Sequence, residues 1–143
     1  MSATTTPLLS RGTVTQSPTE CTLELEDGPI NAGRVRFTAV NETDGQILFD
    51  MWRLLEGHSF DEWTAATQQA RLNAEAGGPH INAPPYLEDL TRIKLQPGET
   101  APLVRTVQPA TYGIVCLRPF PAVGMRPFAL LGPIEIKQPS ARP

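Results

Sequence analysis

The chain has 143 residues, 40% of them hydrophobic, and a net charge of -3. That length and composition suit one globular domain with a real core. The mild, dispersed acidity, without a basic stripe, excludes nucleic acid as a natural partner. No apolar run approaches a membrane span, and 15 prolines with 11 glycines favour short strands and turns over long helices.

Residues 1–18 are rich in Ser, Thr and Pro and read as a flexible tail that pairs loosely, if at all, at an edge. The N-terminal stretch has neither a basic n-region nor an apolar h-region. The compartment is therefore cytoplasmic as the sequence stands, or extracytoplasmic if a leader has been removed. Residues 19–138 are expected to form the single domain, with 139–143 as a second tail.

From Cys21 an alternating run predicts a half-buried strand, closed by Asp27-Gly28-Pro29. Arg34 to Val40 is a second strand with Val35, Phe37 and Ala39 on one face. The turn Asn41-Glu42-Thr43-Asp44-Gly45 leads into a strand from Gln46 to Leu54, apolar on both faces.

Ser59-Phe60-Asp61-Glu62 fits a capping box, and Phe60, Trp63, Thr67, Ala70 and Ala74 recur at helical spacing until Gly77-Gly78. One helix over about residues 60–76 follows, laid across a sheet edge or the end of the sheets. A loop from Pro79 to Pro85 and a single turn over Tyr86 to Thr91, with Glu88 and Asp89 solvated, lead to a strand beginning at Ile93. Strands Ala101 to Val107, Thr111 to Leu117 and Phe128 to Lys137 complete the chain, the last interrupted by Gly132-Pro133. Short strands with turns about every ten residues predict an all-β, antiparallel Greek-key sandwich with one helical insertion.

The order of several motifs resembles the cupredoxins, the plastocyanin and azurin superfamily. Ala32-Gly33-x-Val35-x-Phe37-x-x-x-Asn41 comes first, then the strand from Gln46, then Leu95-x-Pro97-Gly98-Glu99. Tyr112-x-x-x-Cys116 follows, with a loop ending in Gly124-Met125. The likeness spans roughly residues 22–136 and implies a cupredoxin-like sandwich. In the family the Asn turn leads to a first copper-binding His, the Tyr-x-x-x-Cys strand supplies the thiolate, and a second His and an axial Met follow. Here Gln46 or a neighbour stands where the first His belongs, and Pro119 stands where a second would. Only Cys116 and Met125 match, too few for a type 1 copper site, which needs two imidazoles and a thiolate in one plane.

His58 lies twelve positions beyond Gln46, so an extended strand carries it to the end away from Cys116, where it reads as a solvated helix-start residue. His80, in the loop after the helix, could return to that end and join Cys116 and Met125 in a soft Cu(I) site. Cys116 admits three readings in descending order: an inert buried thiol, a disulfide with Cys21, or a metal thiolate. Tyr112 reads as a corner residue bonded to nearby backbone, and Trp52 and Trp63 as core.

Three functions stay open. The first is a non-enzymatic, copper-free binding, assembly or structural module that meets a protein partner or another copy of itself. Its contact surfaces would be the helix and the Pro-rich loop Arg118 to Pro127, where Phe120, Val123 and Phe128 cluster. The second is a soft-metal binder or copper carrier using Cys116, Met125 and His80. The third is an enzyme, which no nucleophile elbow, acid/base pair or phosphate loop supports.

Overall fold

A computed structural model describes residues 8–139. In chain order the elements are β1 (Ser10–Gln16), β2 (Cys21–Leu25), β3 (Ile30–Asn31), β4 (Gly33–Asn41), β5 (Ile47–Leu54), α1 (Phe60–Glu75), β6 (Leu87–Leu95), β7 (Thr100–Val107), β8 (Ala110–Phe120) and β9 (Gly124–Lys137). They form the two-sheet sandwich with one helical insertion that the sequence predicts. One sheet has the order β2-β1-β4-β7, the other β3-β9-β8-β5-β6; β1–β2, β5–β6 and β8–β9 are neighbours within a sheet, and the other connections cross between the sheets. Most pairs are antiparallel, while β1 runs parallel to β4 and β3 parallel to β9.

The core lies between the sheets and follows from strand alternation. Val14, Val35, Phe37 and Ala39 point inward from one sheet; Ile47, Phe49, Met51, Ile114 and Ile134 meet them from the other. On the outer face of the five-stranded sheet a second apolar cluster gathers Leu54, Trp63, Val115 and Leu117. That sheet is covered on both sides, which explains why β5 carries apolar residues on both faces.

Helix α1 covers that outer face rather than a sheet edge or an end. Ser59 caps it as expected: its side chain accepts from the Glu62 amide at 3.1 Å while Glu62 accepts from the Ser59 amide at 3.0 Å. The Ser59 amide, with His58 beside it, holds the Glu62 carboxyl below its usual range. This contribution is therefore complete above the ordinary carboxylate pKa and fades as pH falls through the lowered value. Trp63, 1% exposed, anchors the helix to the sheet at Gly113. A Cβ at Gly113 would sit 2.8 Å from Trp63 Cη2 and Cζ3 and 2.9 Å from Leu130 Cδ1, so only a glycine lets the indole settle against the strand.

Three expectations are corrected. Part of the expected tail is β1, an inner strand of its sheet; its inward positions are Gly12, Val14 and Gln16, so only one carries an apolar side chain and no hydrophobic period marks it. Residues 1–7 of that tail, and 140–143 of the other, lie outside the described residues. The turn expected over Tyr86 to Thr91 is the first half of β6, where Glu88 and Asp89 are charges on an edge strand. The Pro-rich loop is mostly strand: β8 runs to Phe120 and β9 starts at Gly124, leaving a short turn with Ala122 at φ 70°.

Cys21 and Cys116 are joined in a disulfide between β2 and β8, with Cα atoms 6.7 Å apart, so it staples one sheet to the other through the core. This is the second of the three readings of Cys116. The thiol expected to be inert is bonded because the β1–β2 turn returns the chain to the Cys116 end, where Arg118 Nη1 donates to Pro18 O at 2.8 Å.

Two stability predictions follow from these contacts. Gly113→Ala should lower the unfolding free energy by about 1–3 kcal/mol by overpacking against Trp63, measured by urea titration. Wild-type stability in that variant would contradict the contact. The disulfide closes a span of 95 residues. Replacing both cysteines by Ser should cost about 2–5 kcal/mol in the same assay, and an unchanged midpoint would argue against the bond.

Candidate functional site

The outer face of the five-stranded sheet carries a concavity with a largely apolar lining. It is a cleft of about 450 Å³ bounded by α1, the 80–84 loop, the sheet and the β8–β9 hairpin. Trp52, Trp63, Val115, Leu117, Met125 and Ile81 give it a largely apolar wall.

Strand register explains which residues reach it. On β5, Asp50 and Trp52 alternate outward; β8 places Val115 opposite Asp50 and Gly113 opposite Trp52. On β6, Asp89 pairs with Trp52 and Arg92 with Asp50. These two are three positions apart and would ordinarily face opposite ways. A bulge between Met51 and Trp52 absorbs one extra residue on β6, so both face the cleft.

Asp50 is the unusual group, a carboxylate only 3% exposed within an apolar strand. Arg92 satisfies it in a two-pronged pair, Nε to Oδ1 at 2.6 Å and Nη2 to Oδ2 at 2.8 Å. Hydrogen bonding to Asp50, and more weakly the Asp89 charge, pushes the Arg92 guanidinium further up from its already high pKa. As a unit the pair adds little net stability, because desolvating Asp50 offsets the attraction. Its effect is to fix the polar floor of an otherwise apolar cleft.

The residues singled out from sequence fall on different sides of the sheet. Met125 and His80 line the cleft, but Cys116 is fully buried in the inter-sheet core and bonded to Cys21. The structure therefore does not bring Cys116, Met125 and His80 together. Strand alternation turns Val115 and Leu117 outward and Cys116 inward. No group of three or more His, Cys, Asp or Glu poised for a metal occurs among the described residues.

The Asn turn serves the backbone instead. Asn41 Nδ2 is shared among the carbonyls of Gly45 (2.8 Å), Leu95 (3.2 Å) and Gln96 (3.0 Å), and its Oδ1 accepts from Thr43. This fastens the turn before Gln46 to the Pro-Gly turn. Tyr112 is the expected corner: its hydroxyl donates to Gln108 O at 2.9 Å and accepts from Gln108 N at 3.0 Å, and burial raises its pKa. His58 sits at the helix start, stacked on Tyr86 at 4.3 Å and 3.3 Å from Glu62.

The residues of the expected contact patch are more covered than the sequence suggests. Phe128 is 8% exposed, with the guanidinium carbons of Arg71 and Arg118 at 4.1 Å and 4.9 Å from its ring centre. Phe120 packs on the inter-sheet core and Val123 is half-buried. Of the three, only Phe128 is buried. Sequence reasoning missed Asp50, Asp89 and Arg92; the lone acid inside the apolar run Ile47-Leu48-Phe49-Asp50-Met51-Trp52 was the available signal.

No family model and no curated protein matches the chain. Among solved structures it is similar to Na-dithionite reduced auracyanin from the photosynthetic bacterium Roseiflexus castenholzii, with 18% identity and a TM-score of 0.40, covering 73% of this chain and 81% of that one. The architecture given above rests on this chain's own sheet order and strand register.

Proposed function

We propose that this chain is a cupredoxin-like sandwich that works without type 1 copper, as a non-enzymatic binding module whose contact region is the cleft on the outer sheet face. The observation that carries the reading is the cleft itself. It is an apolar concavity of about 450 Å³ with a fixed ion pair at its floor, built by the helix insertion and the hairpin together. The copper-free part of the reading draws support from the chemistry at Cys116, whose sulfur is spent on Cys21. The non-enzymatic part draws support from three titratable groups that are engaged structurally: Asp50 by Arg92, Tyr112 by Gln108 and His58 by Tyr86 and Glu62. A disulfide of this kind also suits an oxidising compartment.

The test is a screen of a chemically varied set of small molecules, cationic, neutral and anionic, followed by amide NMR. Ligand-induced shifts should centre on Trp52, Leu87 and Val115 and vanish in Ala70→Trp, which fills the cleft while leaving the inter-sheet core untouched. Shifts centred on the hairpin tip, or self-association through it, would return the reading to a docking patch. Stoichiometric copper bound by the reduced protein and lost in Cys116→Ala would return it to metal carriage.

A further inference from the structure

We infer that the cleft takes a small organic cation, an apolar or aromatic body carrying one protonated amine. The inference rests on the binding-module reading and specifies what the module would hold. Size comes first: about 450 Å³ falls within the roughly 300–1,000 Å³ of small-molecule sites. The wall supplies the apolar surface, with two indoles, a thioether and aliphatic side chains.

Charge decides the class. The charged side chains lining the cleft are Asp50, Asp89 and Arg92, with the exposed His80 at its mouth. Arg92 commits two N–H groups to Asp50, and that pair is balanced. Asp89 is left over: exposed at the rim, with no ion pair of its own within 4 Å among those in the described structure, and directly across the β5–β6 register from Trp52. The carboxylates of the lining therefore outnumber its guanidinium by one. An anion would meet the Asp89 carboxylate and a guanidinium whose charge Asp50 already answers. A cation would find the Asp89 carboxylate and the Trp52 indole side by side on one strand pair. The β6 bulge is what makes this possible, since without it Asp89 and Arg92 would face opposite sides of the sheet.

The experiment compares three probes of one shape at neutral pH: phenylbutylamine, phenylbutanol and phenylbutyrate, titrated into the oxidised full chain and followed by amide NMR. The amine should shift the cleft residues and bind about fivefold more tightly than the alcohol, with the carboxylate weakest. Asp89→Asn lies on an exposed edge strand and leaves the core intact; it should bring amine and alcohol level. Alcohol or carboxylate binding in the cleft at least as tightly as the amine would overturn the cationic class while the binding-module reading stands. An amine preference that persists in Asp89→Asn would overturn the assignment to Asp89. Absence of cleft shifts with all three probes would overturn the inference outright, and the wider screen with Ala70→Trp would then decide the module reading separately.

Discussion

The contact on which the site depends is the one between Trp63 and Gly113. A helix inserted into a β-sandwich has to find somewhere to put its apolar stripe. Here the largest side chain on that stripe settles against a strand position that has no side chain at all. The fit holds α1 over the outer face of the five-stranded sheet instead of leaving it at an edge. With the helix there, the chain after Gly77-Gly78 must pass back over the same face to reach β6, and the cleft is the space enclosed. Phe60 supports the arrangement by meeting Trp63 edge-on at 5.3 Å.

The five-stranded sheet thus separates two tasks by alternation. Its inner face carries stability: Ile114, Cys116 and Ile134 pack against the opposite sheet, and the disulfide ties the sheets covalently. Its outer face carries the cleft, with Val115, Leu117, Trp52 and Asp50. Because neighbouring residues on a strand face opposite ways, a site drawing on both Cys116 and Met125 would need both sides of one sheet. At the end of the Tyr112-x-x-x-Cys116 spacing the sulfur faces inward and forms the crosslink to Cys21. The bulge on β6 is the complementary device, breaking alternation once so that Asp89 and Arg92 share a face.

Much of the fold was legible because its signals are local. The capping box and glycine stop framed α1 to within a residue, the Asn and Pro-Gly turns marked strand ends, and the Tyr112 corner followed from its place at the start of a strand. Where the signal is not local, reading failed. β1 shows too few inward apolar side chains to reveal itself, since it is held by pairing with β2 and β4. The charges of β6 look like a turn until its edge position accounts for them. The site was hidden for the same reason. Asp50, Asp89 and Arg92 are scattered in sequence, and only register and a bulge bring them together. The Cys21–Cys116 pair was legible as the second reading of Cys116, behind an inert thiol, because the proximity of the two residues depends on how the sheets stack.

The most direct test of this account is whether the indole of Trp63 touches the backbone of Gly113 in solution, read as a nuclear Overhauser effect between the Gly113 α-protons and the Trp63 ring protons on Cη2 and Cζ3. A strong cross-peak is the predicted result, since those ring carbons crowd the position a Cβ would take. Its absence, with Trp63 showing contacts to other partners instead, would mean the helix lies elsewhere and the cleft is not built as described.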